Sequence, residues 1–137
     1  MYKRDFLERL VEEGAKVLAT ILGLVKDGRL ERAIVVVDES VETYTGYTFE
    51  QVDNVTDDTF LNFLEDSKLS PQHLELLMLL LVERAKLEQL KESPDLGDVK
   101  SLLNKALCCI DYLNKLQANT FSLARAQKQQ EIKALLK

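Results

Sequence analysis

The stretch Ser70–Lys91 reads SPQHLELLMLLLVERAKLEQLK, and it decides the fold. Between Leu74 and Val82 its only polar residue is Glu75. A helix that is apolar on every side has to be buried on every side, so we expect the other helices to pack around this one. Ser70 is a favoured helix N-cap residue and Pro71 suits the first helical position, which marks where the central helix begins.

The apolar run is too short to cross a bilayer, because its unbroken part at residues 76–82 is far below the roughly 20 residues that a membrane span needs. The N-terminal residues also lack a secretory signal, since Glu8 and Glu12 closely follow the first basic residues. Adjacent Cys108 and Cys109 have Cα atoms about 3.8 Å apart, closer than the usual disulfide range. We therefore expect reduced core thiols and a cytoplasmic protein that does not enter the membrane.

The composition indicates one soluble domain with a full hydrophobic core. The chain has 137 residues, of which 46% are hydrophobic and 30% charged. Its net charge of -5 argues against a general nucleic-acid binder, which would concentrate Lys and Arg against phosphates. Residues 38–66 carry nine acids and no Lys or Arg, whereas residues 121–137 carry four basic residues and one acid. Either these are two solvated surfaces, or the acidic half meets a basic partner or the basic tail of a second copy.

The apolar spacings predict an all-α domain of five to six helices in antiparallel hairpins around the central helix. Gly28 suits a left-handed C-terminal cap, and Thr48 with Gln51 forms the sequence pattern of a capping box. The β-branched run Ile34–Val37 also suits a buried strand, but no other segment offers that strand a partner. We divide this single domain, residues 1–137, into a first hairpin at 4–45, an acidic turn and short helix at 46–69, the central helix and second hairpin at 70–118, and a C-terminal helix at 121–136.

The first two predicted helices resemble a tetratricopeptide repeat, a helical hairpin of about 34 residues with Gly at the turn and small residues at the helix crossing. Gly28 stands at the turn, Leu30 at the apolar position after it, and Ala33 and Ser40 at the crossing positions. A weaker second copy has Pro94 at the turn, followed by Leu96, Val99 and Ala106. Ile21 and Leu87 replace the small residue usual in the first helix of each copy. The layout is also similar to small all-helical bacterial proteins that carry no assigned activity.

The resemblance implies a scaffold that binds a peptide or protein in a groove lined by the first helix of each hairpin. The candidate interaction residues at these positions are Leu18, Leu22, Arg84, Glu88 and Lys91. An alternative stays open for each group of residues. Leu18 and Leu22 would be plain core residues in the first alternative. In the second, Arg84, Glu88 and Lys91 would form a solvated face on which Arg84 and Glu88 pair at i,i+4.

Nothing in the sequence predicts a catalytic or metal site. His73 is the single histidine and has no positioned partner. The acidic run that begins at Asp53 has Val55 at a ligand position of a calcium loop and Asp58 where the Gly belongs. We therefore expect no enzymatic activity, no cofactor and no metal. The leading hypothesis is a protein- or peptide-interaction module, and the alternative is a helical homo-oligomer with a structural or regulatory role.

Overall fold

The computed structural model describes residues 2–118 and 121–137. These residues form seven α-helices and one 3-10 turn and contain no strand, which confirms the all-α class. The helices are α1 (Tyr2–Lys26), α2 (Leu30–Thr45), α3 (Phe49–Asp53), α4 (Phe60–Ser67), α5 (Pro71–Gln89), α6 (Leu96–Leu116) and α7 (Leu123–Leu136), with the 3-10 turn at Asp57–Thr59 before α4.

The central helix of the prediction is α5, and α1, α2 and α6 all pack against it. Leu74, Leu77 and Leu81 have no exposed surface, as expected for a helix that is apolar on every side. Ser70 caps the helix, because its Oγ accepts a hydrogen bond from the backbone N–H of His73 at 3.2 Å. The predicted position and burial of the central helix are therefore confirmed.

The turn between α1 and α2 follows from Gly28, which has a φ of 73°. The backbone N–H of Gly28 donates to the Val25 carbonyl at 3.0 Å, and that of Arg29 donates to the Leu24 carbonyl at 2.9 Å. This is the Schellman pattern, in which a residue in the left-handed conformation lets the backbone N–H groups after a helix bond to its last carbonyls. The predicted left-handed cap at Gly28 is confirmed.

The β-branched run Ile34–Val37 lies within α2 and is helical. Ala33, Val37 and Val41 recur at helical spacing and are fully buried, so one stripe of α2 packs into the core. A strand here would have had no partner, whereas a helix satisfies its own backbone groups. Burial of this stripe offsets the weaker helix propensity of valine and isoleucine.

The short segments between α2 and α5 account for a helix count above the predicted five to six. Thr48 Oγ1 accepts from the Gln51 backbone N–H at 3.1 Å, and Gln51 Oε1 accepts from the Thr48 N–H at 2.8 Å. This reciprocal capping box begins α3 as a separate helix. The short helix predicted within residues 46–69 opens as the 3-10 turn at Asp57–Thr59, and α4 begins at Phe60.

None of the helices in the described part of the chain combines the length and the apolar character that crossing a bilayer requires. Cys108 and Cys109 are free thiols, the first half-buried and the second buried. Both lie on α6, as the apolar pattern predicts.

Candidate functional site

An apolar cleft of about 330 Å³ opens between α1, the N-terminal half of α5 and the beginning of α7. Its wall on α1 includes Val11, Gly14 and Leu18, whose spacing places them on one side of that helix. Leu76 and Leu79 of α5 contribute the apolar surface opposite. The volume lies within the range of protein ligand clefts, which are mostly apolar with a few polar groups. This cleft, called the α1–α5 cleft below, is the candidate site.

The α1–α5 cleft has one tightly packed edge and one open edge. A Cβ atom on Gly14 would come within 3.1 Å of Leu76 Cδ1, so the two helices approach closely there because residue 14 has no side chain. Farther around α1, Val11 is 61% exposed and Leu22 is 54% exposed. Val11, Leu18 and Leu22 recur at seven and four residues, so they form one stripe along α1, on which Val11 and Leu22 are exposed and Leu18 is half-buried against the core. The apolar surface of α1 is therefore wider than its contacts with α2 and α5 require.

The polar end of the α1–α5 cleft is an ion pair between α5 and α7. Glu75 Oε2 accepts from Arg125 Nε at 3.2 Å and from Arg125 Nη2 at 2.9 Å. Arg125 Nη1 also donates to Asn114 Oδ1 at 3.1 Å, and its Nη2 donates to Gln117 Oε1 at 2.8 Å. Arg125 is buried, whereas the Glu75 side chain is 32% exposed. The carboxylate therefore faces the cleft while the guanidinium is held behind it.

Arg125 could not be identified from the sequence pattern, although Glu75 indicated that a partner was needed. A lone carboxylate in a buried helix needs a hydrogen-bonded partner, since burying an unpaired charge is very costly. The partner lies 50 residues away in a polar helix, so no local pattern indicates which cation it is.

The structure separates the five candidate interaction residues into two places. Leu18 lines the α1–α5 cleft, and Leu22 lies exposed on the same stripe one turn farther along α1. The core alternative is wrong for Leu22, which is 54% exposed, whereas Leu18 is half-buried and packs against the core at the edge of the cleft. Arg84, Glu88 and Lys91 lie at the other end of α5, away from the cleft.

Arg84, Glu88 and Lys91 belong with Asp38 to a second ion cluster, called the Arg84 cluster below. Arg84 Nε donates to Asp38 Oδ1 on α2 at 3.1 Å, and Arg84 Nη1 donates to Glu88 Oε1 at 3.1 Å. Lys91 Nζ lies 2.8 Å from Glu88 Oε1, and the Asp95 backbone N–H donates to Glu88 Oε2 at 3.2 Å. The i,i+4 pair of Arg84 and Glu88 predicted from their spacing is confirmed.

The interpretation of Arg84 and Glu88 as a solvated face is wrong, because they are only 8% and 4% exposed. The spacing of charges on α5 does not reveal that α2 covers them. The guanidinium also lies 5.0 Å from the centre of the Phe49 ring, so α3 contributes to the enclosure. The structure therefore fills this part of the predicted groove with the protein's own helices.

The surroundings of each carboxylate set its pKa in the Arg84 cluster. Burial raises the pKa of Asp38 above its ordinary value and outweighs the opposing effect of Arg84. Burial also acts to raise the pKa of Glu88, but hydrogen bonds from Lys91, Asp95 and Arg84 together hold that pKa below its ordinary value. Glu88 is therefore an ionised, fully partnered carboxylate that ties α5 to the turn before α6.

The carboxyl groups of Asp53 and Asp98 form a second feature, beside the Arg84 cluster, that the sequence pattern did not predict. Burial and the neighbouring Asp53 raise the pKa of Asp98 to about 6. Asp53 Oδ1 is buried and has no hydrogen-bond partner in the described structure. The backbone carbonyl of Asp53 accepts from the buried Lys105 Nζ at 2.6 Å. Asp53 and Asp98 come from different helices, so only the folded chain reveals their interaction.

The described residues include no group of three or more His, Cys, Asp or Glu side chains that could hold a metal ion. His73 Nδ1 lies 2.6 Å from Ser70 Oγ, and burial lowers the pKa of this histidine. Ser70 Oγ is engaged as the cap of α5. Burial raises the pKa of the Cys109 thiol far above its ordinary value, which keeps it protonated and unreactive. The α1–α5 cleft thus offers apolar contact and one carboxylate acceptor.

Comparisons of this chain with protein-family models, curated proteins and solved structures found no match. The resemblance to a tetratricopeptide repeat therefore stays a prediction. The function has to be argued from the geometry of the α1–α5 cleft.

Proposed function

We propose that this protein is a cytoplasmic, non-enzymatic interaction module of tetratricopeptide-like hairpins that binds a segment of a partner protein in the α1–α5 cleft. One observation carries the proposal: an apolar cleft continues into an exposed apolar stripe on α1, beside a polar end whose buried cation is already satisfied. Contiguous apolar surface of this kind is typical of sites that bind a protein or a ligand.

The extent of the apolar stripe favours a chain segment over a compact small molecule. From Val11 to Leu22 the stripe covers eleven residue steps, or about 16 Å along the axis of α1. A partner that buries three aliphatic side chains there gains roughly 5 to 9 kcal/mol from burial. Lost translational and rotational freedom opposes this gain, so we expect an affinity in the micromolar range.

Selection from a displayed library of random peptides would test the proposal. We expect peptides that bind the full chain, and we expect Val11→Glu to weaken them by at least about tenfold, because it places a charge on the apolar wall. The matched control is Val35→Glu, since Val35 is also exposed but lies on α2 outside the cleft. Selected peptides that bind the Val11→Glu variant as well as the wild type would contradict the proposal.

Self-association is the second candidate function, and the beginning of α7 favours it. Phe121 is 79% exposed and Leu123 is 62% exposed, and both lie close in sequence to Arg125 at the cleft. A second copy of the chain would bury these side chains in a homo-oligomer. Static light scattering would detect it, and Phe121→Ser would then shift the mass towards the monomer. A monomer throughout the micromolar range would exclude this alternative.

A further inference from the structure

We infer that the partner segment in the α1–α5 cleft is a basic amphipathic helix, with its apolar face along α1 and a Lys or Arg that donates to Glu75. This inference rests on the proposed function and specifies its partner. Four features of the cleft favour such a helix: the free acceptor at Glu75, the engaged donors of Arg125, the charge beside the cleft, and the shape of its walls.

Glu75 has unused capacity as a hydrogen-bond acceptor. An ionised carboxylate has about four acceptor positions on two oxygens. Both hydrogen bonds from Arg125 go to Oε2, and no bond within the described structure reaches Oε1. The side chain is about one third exposed and lines the cleft. A ligand donor can therefore reach Oε1, and a cationic donor would form the stronger, charge-assisted bond.

Arg125 is poorly placed to receive an acidic ligand. Its Nε and Nη2 bind Glu75, its Nη1 binds Asn114, and its Nη2 also binds Gln117. The residue is only 7% exposed, so an anion would have to displace these contacts. That anion would also lie near the Glu75 carboxylate and be repelled by it. The polar end of the cleft thus selects a cation over an anion.

The charge beside the cleft is negative, like that of Glu75. Glu12 is exposed, and it lies one helical turn before Ala15, which lines the cleft. Lys16, by contrast, lines a separate surface groove with Val36 and Tyr44, on the side of α1 that faces α2. The whole chain carries a net charge of -5, which would steer a basic segment towards it.

The walls of the cleft favour a helix over the other common forms of bound peptide. The described chain has no strand, so a peptide cannot add to a sheet edge. The described residues that line the cleft include no aromatic side chain of the kind that binds polyproline segments. The exposed aliphatic side chains of α1 and the half-buried Leu79 of α5 instead form a groove for a third helix. Its apolar residues would recur at i, i+7 and i+11, to match the spacing of Val11, Leu18 and Leu22.

Three labelled synthetic helices would test the inference on the full chain. Each has about 16 residues with leucine at the three anchor positions, and they differ only in Lys, Gln or Glu at the position facing the polar end. We expect the Lys peptide to bind about tenfold more tightly than the Glu peptide in fluorescence anisotropy at low salt. The Gln peptide should fall between them, and high salt should reduce the differences.

Two protein variants identify which carboxylates produce the preference for the Lys peptide. Glu75→Gln keeps an acceptor oxygen for Arg125 but removes the negative charge, so the preference for Lys over Gln peptide should fall several-fold. Glu12→Gln changes an exposed residue beside the cleft and should reduce the same preference with no effect on folding. Glu39→Gln, on an exposed position of α2 outside the cleft, is the matched control and should leave the preference unchanged.

The possible failures are distinguishable. Equal binding of all three peptides, still lost in Val11→Glu, would retain the proposed cleft but overturn the basic helix. Tighter binding of the Glu peptide would overturn it as well. A chain that binds none of the peptides and forms a dimer that Val11→Glu dissociates would show that a second copy occupies the cleft, and would overturn the inference.

Discussion

Two buried arginines lie at opposite ends of α5, Arg84 within the helix and Arg125 against it from α7, and they differ in what surrounds their carboxylate partners. The two arginines are almost equally buried, at 8% and 7% exposed. Arg84 pairs with Glu88, whose side chain is only 6% exposed, and with Asp38, whose side chain is 35% exposed. The Glu75 side chain that pairs with Arg125 is 32% exposed and lines an apolar cleft. The sealed carboxylate of Glu88 can only hold helices together, whereas the open carboxylate of Glu75 can also receive a ligand. Because Asp38 is as exposed as Glu75, the adjoining cleft, more than exposure of the acid, distinguishes the candidate site.

The largest effect that tests this comparison is the loss of each guanidinium. Arg84→Ala should lower the free energy of unfolding by about 3 to 5 kcal/mol, because it takes a buried cation from the buried carboxylate of Glu88. Arg125→Ala should cost about 2 kcal/mol, because water can reach Glu75 through the cleft. Urea unfolding followed by circular dichroism measures both losses.

Arg32→Ala, an exposed arginine on α2, serves as control and should change the free energy of unfolding by less than about 0.5 kcal/mol. Equal losses for Arg84→Ala and Arg125→Ala would break the comparison. They would mean that the carboxylate in the cleft is as dependent on its arginine as the sealed one.

A smaller effect concerns the pH dependence of stability at the sealed end of α5, beside the Arg84 cluster. Burial and the charges of Asp53 and Asp95 raise the pKa of Asp98 there, and the charge of Arg84 opposes them. The pKa of Asp98 is about 6 in the folded chain, above the ordinary value of 3.8. The folded state therefore retains a proton that the unfolded chain releases, so the stabilisation from this group is complete below about pH 4 and decreases as the pH rises to 6.

Asp98→Asn should therefore raise the free energy of unfolding near neutral pH, by about 1 kcal/mol once screening by water is included. Near pH 4 the gain should be smaller, since the carboxyl is then protonated in the folded state and only partly ionised in the unfolded state. Urea midpoints at the two pH values give the answer, with Glu39→Gln as the control. If the variant gains no stability at neutral pH, the ionised Asp98 carboxyl is not destabilised by Asp53 and by burial.

The smallest effect is expected on the open side of α1. Val11→Ala should change the free energy of unfolding by less than about 0.5 kcal/mol, because Val11 is 61% exposed. Val37→Ala, the same substitution at a fully buried site on α2, should cost about 2 kcal/mol. Thermal unfolding of the pair compares them directly. A large loss at Val11 would show that the stripe supports the fold and is not free for a partner.

The comparison also changes what the charges on α5 mean. The spacing of Arg84 and Glu88 correctly indicated a pair, whereas the resemblance to a tetratricopeptide repeat placed the two residues in a binding groove. Mutation of that pair would mainly unfold the domain, so loss of binding there would not identify a site. Leu18 is the candidate residue that the structure places in the cleft, and Val11, Glu75 and Arg125 join it there.

The sequence by itself determined the local features. The all-α class, the cap of α5 at Ser70, the left-handed turn at Gly28 and the burial of the Leu74–Val82 run follow from helical periodicity and from backbone geometry within a few residues. The tertiary structure alone decided which distant carboxylate each buried arginine meets. Asp38 meets Arg84 across 46 residues and Glu75 meets Arg125 across 50, and such contacts depend on how helices pack, which no local pattern specifies.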